Sequence, residues 1–117
     1  MQIVDLIGKA LSIRSFYHKV VSANIANSQT PGYKAKGIDF KNELNKQTGF
    51  AAGASGDEVY KVVEEEGDGL VRLDGNTVTL ENETVKLTEN QLMYQALVQL
   101  ASKRFSMMKY AIGEGKR

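Results

Sequence analysis

The sequence predicts a mainly α-helical protein, with long N- and C-terminal helices packed as a coiled-coil-like hairpin and a small central β-hairpin and flexible loop between them. Three observations lead there. Residues 2–27 and 85–112 each carry apolar side chains at three- and four-residue steps, the period of a helical stripe. The stretch between them turns acidic and glycine-rich, with short β-branched runs bounded by turn residues. The chain has 117 residues, the length of one small domain, and residues 1–117 are read as a single unit.

In the first helix, Ile3, Leu6, Ile7, Ala10, Ile13, Tyr17, Val20, Ala23 and Ile25 form the apolar stripe. At 1.5 Å per residue it spans roughly 39 Å, long for so short a chain. Residues 28–37 read as a turn followed by extended chain. Residues 39–47 read as a short helix with Asp39 as N-cap and Phe40 and Leu44 as its apolar contacts. The small residues of 48–57 read as a flexible loop. Val59–Val63, Leu70–Leu73 and Thr77–Leu80 read as short strands, with Asp74-Gly75-Asn76 as a turn.

The second long helix carries Leu92, Met93, Leu97, Leu100, Ala101, Phe105, Met108 and Ile112 as its stripe. Thr88 followed by Gln91 has capping-box spacing, which allows the regular helix to begin there. Gly113 and Gly115 follow the last periodic residue as a stop signal. Both stripes are narrow and seam-like without a strict heptad, so the pair leaves flanks that want further partners.

Composition excludes several function classes. Cysteine is absent, and one histidine is too few for a histidine-rich metal site. His18 reads as a helix-surface residue, and the Glu64-Glu65-Glu66 run as a solvated charge run without EF-hand spacing. Lys34, Lys36, Lys41 and Lys46 surround Tyr33 and Phe40, but a net charge of +1 and the lack of a recognised motif argue against nucleic acid. No cofactor, small-molecule substrate or acid–base pair is expected, so the chain is not read as an enzyme. The charge is uneven: 39–83 holds 11 acidic and 4 basic residues, the rest 3 acidic and 11 basic. That split either favours packing between copies or marks two separately solvated surfaces. The N-terminus has an apolar stretch with Asp5 and Lys9 inside it and no basic leader, which is unlike a cleaved signal peptide.

The most informative segment is Ala23–Lys36, ANIANSQTPGYKAK. Asn27 is expected to end the helix in a left-handed conformation. Thr30-Pro31-Gly32-Tyr33 suits a type II turn, with Pro31 fixing its own φ and Gly32 supplying the positive φ that follows. Tyr33 then places an amphipathic ring just past the turn. These residues alone are also compatible with an ordinary helix stop.

ANIAN-x-x-TPGY, with Asn24, Ile25, Ala26, Asn27, Thr30, Pro31, Gly32 and Tyr33, resembles the N-terminal signature of the flagellar rod, hook and hook-associated axial proteins. GIDFKNELNK and the segment from DGNTVTL to YAIGEG resemble the proximal rod members of that family. The resemblance covers about 10–47 and 70–115. It implies a structural subunit of the proximal rod of a bacterial flagellar basal body, a hollow shaft that transmits torque and passes exported proteins. The implied location is the periplasmic rod, reached by flagellar type III export without a cleaved signal peptide. The implied partners are other copies of the chain, other rod proteins, the inner-membrane ring, the export gate and the export apparatus. Ile13, Tyr17, Val20, Leu92, Leu97, Leu100, Phe105 and Met108 are the expected assembly residues, and Ile3, Val4, Leu6 and Ile7 the expected export-recognition patch. The competing expectation is a soluble helical-hairpin adaptor or export chaperone, folded on its own.

Overall fold

The structure is a computed structural model and describes residues 2–48, 60–65, 73 and 75–115. The element order is α1 (Gln2–Ala26), β1 (Lys36–Ile38), α2 (Phe40–Thr48), β2 (Val62–Glu64) and α3 (Leu80–Gly115). The two long terminal helices dominate, and β1 and β2 form a small two-stranded antiparallel sheet. The molecule is elongated, with a long axis of 70 Å. No helix among the described residues is long and apolar enough to cross a membrane.

α1 and α3 run antiparallel. Asn24 of α1 meets Glu83 of α3, while Arg14, nearly three turns back along α1, meets Asn90, two turns further along α3. At 1.5 Å per residue, the start of α1 lies level with about residue 100 of α3, so the last turns of α3 run past it. The core sits at the other end. Ile13, Tyr17, Val20, Val21 and Ile38 are buried together, with Phe16, Ile25, Phe40, Leu44, Tyr60 and Leu87 packed around them. Aromatic edges close this core: Tyr17 meets Phe40 edge-on at 4.8 Å, and Phe16 meets Tyr60 at 5.1 Å.

α2 starts where its N-cap demands. The Asp39 carboxylate accepts the Asn42 amide at 3.3 Å, and the Asp39 carbonyl accepts that of Glu43 at 3.0 Å. Strands β1 and β2 pair in the register Lys36↔Glu64, Gly37↔Val63, Ile38↔Val62, and the first pair carries an ion pair of 3.0 Å.

Several expectations need correction. The sheet joins residues 36–38 to 62–64 across α2, so no tight hairpin turn connects the strands. Of the expected strand Leu70–Leu73, residues 70–72 lie outside the described residues, and Leu73 is in a turn. The expected loop at 48–57 likewise lies outside them from residue 49 onward. Thr77–Leu80 is not a strand: Thr77 spends its amide and hydroxyl on Tyr33 and Ala35, and Leu80 already opens α3. α3 therefore starts well before Thr88. Thr88 is mid-helix, where its hydroxyl donates to the Thr84 carbonyl at 3.0 Å instead of capping. At the other end α3 continues through Gly113 to Gly115, so the first of these glycines is no stop. Asn27 does not take a left-handed conformation, since among the described residues only Gly32 (φ 77°) and Gly75 (φ 82°) have positive φ.

Candidate functional site

Two regions carry the chemistry of this fold: the corner after α1, and the outer surface of α3. The corner is built on Asn24, which is fully buried. Its Nδ2 donates to the Lys36 carbonyl and to Glu83 Oε2, both at 2.9 Å. Its Oδ1 accepts from the Lys36 amide at 3.0 Å and the Tyr33 hydroxyl at 3.1 Å. One amide thus uses both donors and both lone pairs, tying the end of α1 to β1, to the residue after the turn, and to α3.

The chain leaves α1 through residues that satisfy one another locally. The Asn27 side chain donates back to the Ala23 carbonyl at 2.8 Å, covering a helix-end acceptor, and its Oδ1 accepts from the Thr30 hydroxyl at 3.0 Å. The type II turn then closes, with the Tyr33 amide on the Thr30 carbonyl at 3.3 Å and Gly32 at positive φ.

A second buried asparagine, Asn76, holds this turn from the opposite side. Its Nδ2 is shared among the carbonyls of Asn27 (3.0 Å), Ser28 (3.3 Å) and Thr30 (2.8 Å), and its Oδ1 accepts the Val78 amide at 2.7 Å. Gly75 lies against Gly32, and its carbonyl accepts from Lys34 Nζ at 2.7 Å. The Asp-Gly-Asn triplet reads in sequence only as a turn. Its asparagine is instead a buried bracket for the signature turn.

Glu83 continues the network into α3. It is buried, accepts from Asn24 on one oxygen, and pairs on the other with Lys86 at 3.1 Å. Lys86 also pairs with Glu65, whose backbone amide bonds the Ala35 carbonyl at 2.9 Å. Burial opposes the charge on Lys86, but its hydrogen bonds to the two carboxylates prevail and raise its pKa. Tyr17 stands nearby, and burial followed by the charge on Glu65 pushes its phenol up.

The expected assembly residues divide. Ile13, Tyr17 and Val20 are buried in the chain's own core. Leu92, Leu100 and Phe105 are 61%, 46% and 56% exposed, while Leu97 and Met108 are half-buried. Of the apolar stripe read from the sequence of α3, Leu92, Met93 and Leu100 are therefore exposed beside α1, and Phe105 and Ile112 are exposed past its start. The side that does face α1 is marked by the less exposed residues Glu83, Leu87, Asn90 and Leu97, and the same line continues past the start of α1 through the less exposed Ala101, Arg104 and Met108. With Tyr94, these fall at strictly alternating four- and three-residue steps, so α3 does carry a heptad, seated on a line that includes polar residues. Asn90 is buried in that line: its Nδ2 donates to the Arg14 carbonyl at 2.9 Å, and its Oδ1 accepts from Arg14 Nη1 at 3.4 Å. The Arg14 guanidinium in turn stacks on the Phe40 ring, 4.0 Å from its centroid.

On either side of this line α3 is apolar and open. Met93, Leu100 and Met107 repeat every seventh residue on one flank, and Val98, Phe105 and Ile112 on the other; all six are exposed. Of the expected export patch, Ile3 and Leu6 are exposed, Val4 is half-buried and Ile7 is buried.

Comparison with known proteins bears on the same segments. Residues 10–34, from the first half of α1 to just past Tyr33, match the family model described as Flagella basal body rod protein. The chain is 33% identical to the flagellar basal body rod protein FlgB of Bacillus subtilis (strain 168), with 92% of this chain and 90% of that protein covered. It is 36% identical to the FlgB of Cereibacter sphaeroides (strain ATCC 17023), covering 89% and 88%. It is 33% identical to that of Salmonella typhimurium (strain LT2), covering 90% and 89%.

Proposed function

This chain belongs to the FlgB family of flagellar basal body rod proteins and is a structural subunit of that rod, and on that premise we propose that it polymerises through the exposed flanks of α3. The carrying observation is that α3 buries only a narrow, partly polar line against α1 and leaves an apolar row on each side of it. In a two-helix coiled coil the positions beside the seam are usually charged. Apolar residues there widen the buried face so that one helix serves several neighbours. Other copies of this chain and other rod subunits are the neighbours that satisfy α3 on both flanks.

The chain is then a mechanical part and not an enzyme. Torque passes through helix-to-helix packing, and the corner fixes the angle at which each chain leaves the bundle. The wider setting is a hollow proximal rod in the periplasm, joined to the inner-membrane ring and the export gate, through which exported proteins pass. Delivery is by the flagellar type III export apparatus without cleavage. The exposed Ile3 and Leu6, with Val4 beside them, support an apolar recognition patch at the leading end of α1. Replacing Ile3, Val4, Leu6 and Ile7 together by serine is expected to abolish secretion, and normal secretion of that variant removes the patch from the account.

Mass spectrometry of purified hook–basal bodies tests the reading as a whole. This chain is expected there with its Met1-side peptide intact. Recovery from the cytosol alone, as a stable folded hairpin, would favour an adaptor or export chaperone instead.

A further inference from the structure

We infer that Asn90 is a rotational pin: it holds the partly polar line of α3 against α1 and so keeps the more apolar flanks turned outward. The inference concerns one chain by itself and does not rest on the assembly reading.

The line that faces α1 contains Glu83 and Asn90, and its continuation at and beyond the start of α1 holds the small Ala101 and Arg104. Each residue turns an α-helix by about 100°, so Met93, Leu100 and Met107 stand roughly 60–100° from Asn90 on one side, and Val98, Phe105 and Ile112 roughly 40–80° on the other. Either flank is wholly apolar. Where α3 still lies alongside α1, burial of apolar surface alone would roll it until Met93 and Leu100, or Val98, lay on α1.

The hydrogen bonds oppose that roll. Asn90 uses its amide nitrogen on the Arg14 carbonyl and its oxygen on the Arg14 guanidinium, and it is 2% exposed. Seven residues earlier, Glu83 holds the same line at the corner through Asn24. The corner bonds settle only the first turns of α3, whereas Asn90 stands where the helix leaves the corner and enters the stretch with the apolar flanks. From Gln91 to Gly113 no described residue of α3 is buried, so nothing beyond Asn90 fixes the rotation as firmly. A polar residue in a helix–helix seam sets the arrangement at a cost in stability.

The chain has no cysteine of its own, so single thiols can report on the rotation. Met93→Cys sits on a flank, Leu97→Cys on the inward line, and Lys103→Cys serves as an exposed reference. With Asn90 present, the thiol at 93 is expected to react at the reference rate and the thiol at 97 more slowly. With Asn90→Ser, which removes the bonds without adding an apolar group, the thiol at 97 is expected to gain reactivity and the thiol at 93, or one placed at 98 if α3 rolls the other way, to become protected, while circular dichroism shows helicity retained. Asn90→Leu removes the same bonds but makes the inward line itself more apolar, so it is expected to shift the rates less. The inference is overturned if both variants keep the wild-type order. It is also overturned if they unfold so that every thiol reacts at the reference rate, since Asn90 would then support the fold without choosing its face. A wild-type thiol at 97 as reactive as the reference has the same consequence.

Discussion

Asn24 in the last turns of α1 donates its side-chain amide to the buried carboxylate of Glu83 in the first turn of α3, over 2.9 Å and 59 residues of chain. That bond makes the signature corner and the start of the C-terminal helix one unit. Removing Asn24 strands the Glu83 oxygen, the Tyr33 hydroxyl and both backbone groups of Lys36. Asn24→Ala is therefore expected to cost about 2–4 kcal/mol in denaturant unfolding. Asn24→Asp keeps the shape but sets a second carboxylate against Glu83, and is expected to be no better than alanine. Near-wild-type stability of both would mean the corner is not held this way.

Gly32 is demanded by its backbone and not by space, because a Cβ there would meet nothing within 4 Å. At φ 77° an L-residue pays a left-handed penalty of about 1–2 kcal/mol, more if β-branched and less for asparagine. Thermal unfolding should rank Gly32→Asn above Gly32→Ala above Gly32→Val. The valine variant is expected to block assembly, so wild-type motility in that mutant would count against the turn.

Asn76 brackets the same turn from outside the signature. Asn76→Ala leaves the carbonyls of Asn27, Ser28 and Thr30 without their shared donor, at an expected cost of about 1–3 kcal/mol. Faster hydrogen exchange at the Tyr33 and Thr77 amides should accompany it, because the Tyr33 amide closes the bracketed turn on the Thr30 carbonyl at 3.3 Å and the Thr77 amide donates to the Tyr33 carbonyl at 3.0 Å. Unchanged exchange at both amides would show that the bracket is dispensable.

Alkaline pH should loosen the corner. The pKa of Lys86 is raised because its two carboxylate partners outweigh burial, and that of Tyr17 is raised chiefly by burial. In each case the folded state holds its proton more tightly than the unfolded chain. Their contribution is full below the unfolded values, near pH 10 to 10.5, and is lost as pH rises through the higher folded values. Tyr17→Phe should flatten part of the decline in stability expected above about pH 10 in urea unfolding. An identical decline in wild type and variant would remove Tyr17 from the explanation.

What could be read in the sequence was local. The helix of α1, the Asp39 cap and the Pro31-Gly32 turn each depend on residues within a few positions of one another and stand in the structure as expected, although in the α1 stripe Ile3, Leu6 and Ala23 are exposed and the buried Val21 stands outside it. Three features depend on distant residues. The pairing of Lys36 with Glu64 has no turn between its strands to announce it. Asn76 and Glu83 carry no local sign of burial, because apart from Val78 and Lys86 their partners lie 46 to 59 residues away. In α3 the apolar period only partly matches the inward line: Leu97, Ala101 and Met108 lie on it, whereas Leu92, Met93, Leu100, Phe105 and Ile112 are exposed. The strongest hydrophobic residues serve the outside, and the inward line is marked by spacing alone, from Glu83 through Asn90 to Leu97 and Arg104. A helix whose most apolar surface is unused by its own chain defeats an argument that equates apolar with inside.

The most direct test of that outer surface is a variant carrying Leu100→Ser, Phe105→Ser and Met107→Ser, expressed in place of the natural chain. These side chains are exposed, so the isolated variant is expected to keep the melting temperature of the wild type. Purified basal bodies from that strain should lack the chain, and the cells should not swim. Incorporation at the wild-type amount would contradict the account, because the flanks of α3 would then not be the surfaces through which the rod is built.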